Sequence, residues 1–193
     1  MHMKQSLKIS ACLFALCCLG VSQAARSEMH PEITPTLLRA ALIVADAEKS
    51  IAFYSALGFR IEADNTSPRQ PENNPFPLNA PSTQVRLVIM QSASGAGGRI
   101  GLVNFTNPTP QNTRTAPGRV GRGDVVLVFD VKDAVAIHTQ LLAEVEKLGA
   151  YIIEPPQIYK SKRTDTNGRP LTGKVFHLTD PDGYLIELLE AAH

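Results

Sequence analysis

A chain of 193 residues, 44% hydrophobic and 19% charged, can bury the core of one domain or of two small repeated modules. A formal charge of +1 excludes a protein that grips nucleic acid by net charge alone. All three cysteines (Cys12, Cys17, Cys18) lie near the start. The rest of the chain therefore has no disulfide, no thiolate metal ligand and no cysteine nucleophile.

The chain opens with a basic stretch, "MHMKQSLK", an apolar run, "ISACLFALCCLGV", and small residues, "SQA". This pattern predicts a secretory signal peptide over 1–24, cleaved after Ala24 and too short for a membrane span. "ISAC" loosely resembles a lipobox, but too little apolar sequence precedes Cys12. Cleavage removes Lys4 and Lys8 and no acid, which takes the formal charge to −1. The expected location is exported, periplasmic or secreted, with no membrane span in the mature chain. Residues 25–36, "ARSEMHPEITPT", predict a mobile leader.

"LLRAALIV" then predicts a strand. Asp46 is an N-cap, and Ala47, Ile51, Tyr54 and Leu57 form one helical stripe, stopped by Gly58. "FRIEA" predicts a short strand, and the Pro- and Asn-rich stretch 64–83 a long loop that could cover a cleft. "VRLVIMQS" and "RIGLVNFT" predict two strands joined by a glycine-rich hairpin. The order then repeats. "DVVLVFDV" is a strand, and Asp133 caps a helix with the stripe Ala134, Ile137, Leu141, Val145 and Leu148, stopped by Gly149. "AYIIEPP" is a strand, "YKSKRTDTNGRPLTG" a basic loop, and "KVFHLT" and "YLIELLE" are strands on either side of a "DPDG" turn. "YKSKR" reads as solvated, with a lid admitting an anion as the alternative.

Thus βαβββ occurs twice, with "V-x-D" before each helix and "L-G" after it. Asp46 and Asp133 are 87 positions apart, Gly58 and Gly149 91, so the second helix is one turn longer. The fold class is α+β. One domain is expected over 37–190, with module one at 37–107, a linker at 108–122 and module two at 123–190.

Two βαβββ modules, "SIAFYSALGF" after the first strand and "DPDGYLIEL" at the last hairpin together resemble the vicinal oxygen chelate superfamily, the glyoxalase, bleomycin-resistance and extradiol dioxygenase group. The resemblance implies curved mixed sheets that enclose a common cleft. It also implies four positions that carry His, Glu or Gln, His and Glu in metal-dependent members. Imidazole and carboxylate suit Zn, Ni, Fe or Mn, and vacant positions let the ion act as a Lewis acid. Carried over by position, the four are Arg39, Gly101, Val126 and Glu187. Only Glu187 is a ligand type. No metal site or cofactor is therefore predicted, with a divalent metal left open.

Apolar strands rarely carry a carboxylate, because an unpaired buried charge is costly. Glu187 is therefore expected either as a partly solvated side chain or as a cleft residue. In the second case Arg39 is its expected partner, replacing the metal by a structural bridge or a site for a polar ligand. Whether His177 shares the face of Glu187 depends on a register that the turn leaves open. Three functions follow: an exported protein binding a small organic ligand in the cleft; a lyase, isomerase or dioxygenase-type enzyme with Glu187 as base, Arg39 as anion anchor and His177 as acid–base helper; or a structural or interaction module. The expected partner is a small molecule, not nucleic acid, and a homodimer is compatible with the pattern.

Overall fold

The computed structural model describes residues 36–70, 72, 76–95, 97–113 and 118–191. The expected signal peptide and the leader up to residue 35 lie outside the described residues. Module one comprises β1 (Arg39–Val44), α1 (Ala47–Ala56), β2 (Phe59–Pro68), β3 (Gln84–Ser92) and β4 (Arg99–Thr106). Module two comprises β5 (Val126–Val131), α2 (Ala134–Leu142), α3 (Val145–Leu148), β6 (Tyr151–Ile152), β7 (Gln157–Thr164), β8 (Pro170–Thr179) and β9 (Leu185–Glu190). The sheets run β1-β4-β3-β2 and β5-β9-β8-β6, with β7 also on β8. In each, the first strand joins the last in parallel and the other pairs are antiparallel. Among the described residues no helix is long and apolar enough to cross a membrane.

Helices α1 and α2 start where the aspartates stand. Asp46 Oδ1 accepts the N–H groups of Glu48 at 3.0 Å and Lys49 at 3.2 Å. Asp133 Oδ1 accepts those of Val135 at 3.0 Å and Ala136 at 2.9 Å. Each cap satisfies donors that the first helical turn leaves open. Gly149 stops α3 at φ +70°, a conformation that costs glycine little.

Four elements differ from expectation. The long second helix is two pieces, α2 and α3, with Ala143 and Glu144 between them. "FRIEA" continues to Pro68, because its outer half, "DNTSP", pairs with β3. The stretch "YKSKRT" is no loop but part of β7, paired with β8 through Lys160↔Thr172 and Thr164↔Pro170. Both segments are polar on both faces, so alternation carries no signal and backbone hydrogen bonds decide. "AYIIEPP" shrinks to the two residues of β6, since Pro155 and Pro156 have no N–H to give the ladder.

One apolar cluster draws on both modules. Leu42, Val44, Phe53, Tyr54, Met90 and Leu102 of the first join Leu127, Leu141, Leu148, Phe176, Ile186 and Leu188 of the second. Phe59 and Phe129 touch across the modules, ring centres 5.1 Å apart. Each fully buried side chain of this kind contributes about 1.5–3 kcal/mol.

Gly173 on β8 lies under the ring of Tyr159 on β7, its pairing partner. A Cβ there would come within 2.3 Å of the Glu190 carbonyl oxygen and 2.6 Å of Tyr159 Cε1. The first of these is backbone and cannot swing away. Gly173→Ala is therefore expected to destabilise the fold by about 1–3 kcal/mol, read as a lower denaturation midpoint. An unchanged midpoint would contradict the packing described.

Candidate functional site

Alternation gives each sheet a face against the helices and a face away from them. In module one Leu42, Val44, Met90 and Leu102 pack towards α1. The other face carries Arg39, Ala41, Val85, Leu87, Gly101 and Val103. Register fixes the equivalence of the modules on this face: Ala41 pairs with Gly101 in one, Val128 with Glu187 in the other. The first-strand positions two residues earlier are Arg39 and Val126. All four positions carried over from the sequence thus lie on the faces turned away from the helices.

In sheet one a cavity of about 210 Å³ is lined by Arg39, Ala41, Asn65, Ser67, Phe76, Val85, Leu87 and Val103. The floor is apolar, from β1, β3 and β4. Besides Arg39 of β1, the polar groups come from β2, the strand whose outer half the sequence concealed. Phe76, in the stretch expected to cover a cleft, packs its ring on Phe105 with centres 5.8 Å apart. The Arg39 side chain runs across Gly101: a Cβ on that glycine would meet Arg39 Cδ at 3.0 Å and Nε at 3.2 Å. Glycine here leaves room for the guanidinium stem. Among the described residues Arg39 forms no ion pair, and the expected bridge to Glu187 is not formed.

Glu187 instead meets His177. The two are directly opposed across β8 and β9. Their Nε2 and Oε2 atoms are 3.1 Å apart, and on the other side of the ring Nδ1 lies 2.6 Å from Glu154 Oε1. A neutral imidazole has one N–H, so a ring that donates at both nitrogens is an imidazolium. Partial burial works against the charged ring as the largest single influence. The hydrogen bonds and charges of Glu154 and Glu187 together outweigh it and raise the His177 pKa. Val126 and Val128 flank this cluster, 38% and 54% exposed. Glu154 was not legible from the sequence, because it lies past the end of β6, where no alternation marks its face. Among the described residues no group of three or more His, Cys, Asp or Glu side chains is arranged to hold a metal ion.

The "DPDGY" segment joins the modules. Asp180, 2% exposed, accepts the Tyr54 hydroxyl at 2.9 Å through Oδ2, and the N–H groups of Asp182 at 3.0 Å and Tyr184 at 2.8 Å through Oδ1. Asp182 accepts the Ala45 N–H at 2.8 Å, and the Tyr184 hydroxyl accepts the Ile43 N–H at 3.0 Å. Burial pushes the Asp180 carboxyl up to about 6, against the pull of its donors. Burial raises Asp182 as well. Tyr54 was expected in the helix–sheet core; its hydroxyl also ties α1 to the last hairpin. Beside this seam a cleft of about 690 Å³ is lined by Ile43, Leu78, Gln111, Arg119, Asp182 and Tyr184 among others.

A model of the glyoxalase/bleomycin resistance protein/dioxygenase superfamily matches residues 36–188. The chain belongs to this superfamily. A search of curated protein sequences finds no match. Among solved structures, a glyoxalase family protein from Bacillus cereus is similar with a TM-score of 0.59 at 18% identity, over 86% of this chain and 99% of that one. A V278E mutant of glyoxalase I from Zea mays gives a TM-score of 0.51 at 16% identity, over 80% of this chain and 45% of that one. At these identities the likeness concerns the fold, and the superfamily architecture of two βαβββ modules is what this chain shares with them.

Proposed function

We propose that this superfamily member binds a small organic anion on the face of sheet one, with Arg39 as anchor, and that its divalent-metal site is degenerate. One observation carries the reading: a guanidinium without an ion-pair partner among the described residues lines a small, largely apolar cavity. An arginine fork suits a carboxylate, and a few polar groups over an apolar floor suit a small organic body. Asn65 and Ser67 supply the polar groups. The donor set at the four family positions does not fit a divalent ion. It consists of a cation, a glycine, a valine and one carboxylate already engaged by His177. The signal-like start of the sequence supports an exported protein.

Titration calorimetry with a panel of short mono- and dicarboxylates tests the reading, using chain treated with chelator. At least one acid is expected to bind, at least about tenfold more weakly in Arg39→Gln, since a charge-assisted pair is worth about 1.5–3 kcal/mol. Gly101→Val, which fills the space of the Arg39 stem, is expected to weaken the same acid. Binding that survives both substitutions would place the ligand elsewhere.

A second reading, acid–base catalysis with Glu187 as base, is favoured by the contact between Glu187 and His177. A pH–rate profile lost on Glu187→Gln would support it.

A further inference from the structure

The β7–β8 ribbon carries a local positive charge that no ion pair among the described residues balances. From Gln157 to Gly173 it holds Lys160, Lys162, Arg163 and Arg169 against one acid, Asp165, a net +3. None of the four cations forms an ion pair with a described residue. Asp165 is occupied in the turn, where its Oδ1 accepts the N–H groups of Asn167 and Arg169, each at 2.8 Å. Two arginines of module one, Arg86 and Arg99, are paired instead. Arg86 is bound by Asp64 at 2.7 Å and Glu48 at 2.6 Å, and Arg99 by Glu62.

The ribbon also holds out an apolar side chain. Ile158 is 75% exposed, stands opposite Lys174 and alternates with Lys160 on the same face of β7. Cations around an exposed aliphatic group suit the boundary of an anionic bilayer, where headgroups attract the charges and the acyl region takes the apolar group. Single-stranded nucleic acid fits less well. It needs aromatic rings free for base stacking, and of the ribbon's aromatic residues Tyr159 lies over Gly173 and Phe176 is buried.

We propose that the β7–β8 ribbon docks this protein on the anionic lipid surface of a membrane. The cations supply long-range attraction and Ile158 the local insertion. The proposal is independent of the ligand held by Arg39.

Co-sedimentation with vesicles tests it. At low salt the whole chain without its first 24 residues is expected to bind vesicles containing about one-third phosphatidylglycerol and not pure phosphatidylcholine vesicles. Binding is expected to fall steeply as salt shortens the Debye length below about 8 Å. The triple variant Lys160→Glu, Lys162→Glu, Arg163→Glu is expected to lose at least about tenfold in partitioning. Ile158→Ser is expected to weaken binding at every salt concentration. These side chains are exposed or at the ribbon edge, and matching circular dichroism spectra would verify that the variants fold. No binding to anionic vesicles would overturn the proposal and leave the lysines as guards of an edge strand. Equal binding to neutral vesicles, an unaffected triple variant, or tighter binding to an oligonucleotide than to vesicles would overturn it too.

Discussion

Replacing Asp180 by alanine is expected to destabilise the protein by about 3 kcal/mol, the largest effect of any single polar substitution at the seam. The carboxylate is the common acceptor of the Tyr54 hydroxyl and of two backbone N–H groups. Alanine leaves these donors without a partner in a place water scarcely reaches, at about 1–3 kcal/mol for each group that stays unsatisfied. Tyr54→Phe removes one donor and keeps the acceptor's other bonds, so about 1 kcal/mol is expected. The double variant should cost less than the sum, because the hydroxyl that Asp180→Ala would strand is already gone. Denaturant titration of the four proteins gives the cycle. A loss below about 1 kcal/mol for Asp180→Ala would mean that the bonds accepted by Asp180 do little to hold the modules together.

The same carboxylate sets an unusual pH dependence. Its pKa is about 6 in the fold against about 3.9 in an unfolded chain. Between these values the folded state binds the extra proton, so stability rises as pH falls from neutrality towards about 4. A shift of about two units corresponds to about 3 kcal/mol. Asp182, also raised by burial, acts in the same sense. His177, whose pKa is raised, contributes stability that is complete below about 6.5, its unfolded value, and is lost as pH rises through the folded one. Glu62 and Asp64 oppose this: hydrogen bonds from Arg99 and Arg86 lower their pKa values, and that contribution disappears as pH falls. Both are surface pairs, screened by solvent. Denaturation midpoints from pH 8 to pH 4 should therefore rise in the wild-type chain. Asp180→Asn mimics the protonated acid and should flatten the profile, with stability near neutrality above that of the wild-type chain. A steady fall from pH 7 to pH 4, unchanged in Asp180→Asn, would contradict the account.

The module pattern was legible because it rests on signals that survive in one sequence. The two aspartate caps and the glycine stops at Gly58 and Gly149 are local and stand where expected, although the second stripe is broken between Leu142 and Val145. The position equivalent to Glu187 could be counted to Gly101 because the duplicated strands keep register. Partners across strands are a different matter. Glu154 reaches His177 from the irregular segment between β6 and the two prolines, and no period leads there. Arg39 and Glu187 lie on strand faces turned away from the helices, but their side chains settle on Gly101 and His177 and not on each other. Asn65 and Ser67 were hidden because a strand polar on both faces reads as a loop. The turn "DPDG" announced a bend, but only the fold shows that its carboxylates are aimed at α1 and β1 of the other module.

The central claim is that the divalent-metal site of this superfamily member is degenerate, with the cation Arg39 at one of the four family positions. Metal content of the purified, untagged chain tests it most directly. The protein would be incubated with excess zinc, nickel, iron or manganese, desalted and analysed beside Glu187→Ala. The account predicts metal far below one ion per chain in both. One tightly held ion per wild-type chain, lost in Glu187→Ala, would contradict it and make Glu187 a metal ligand.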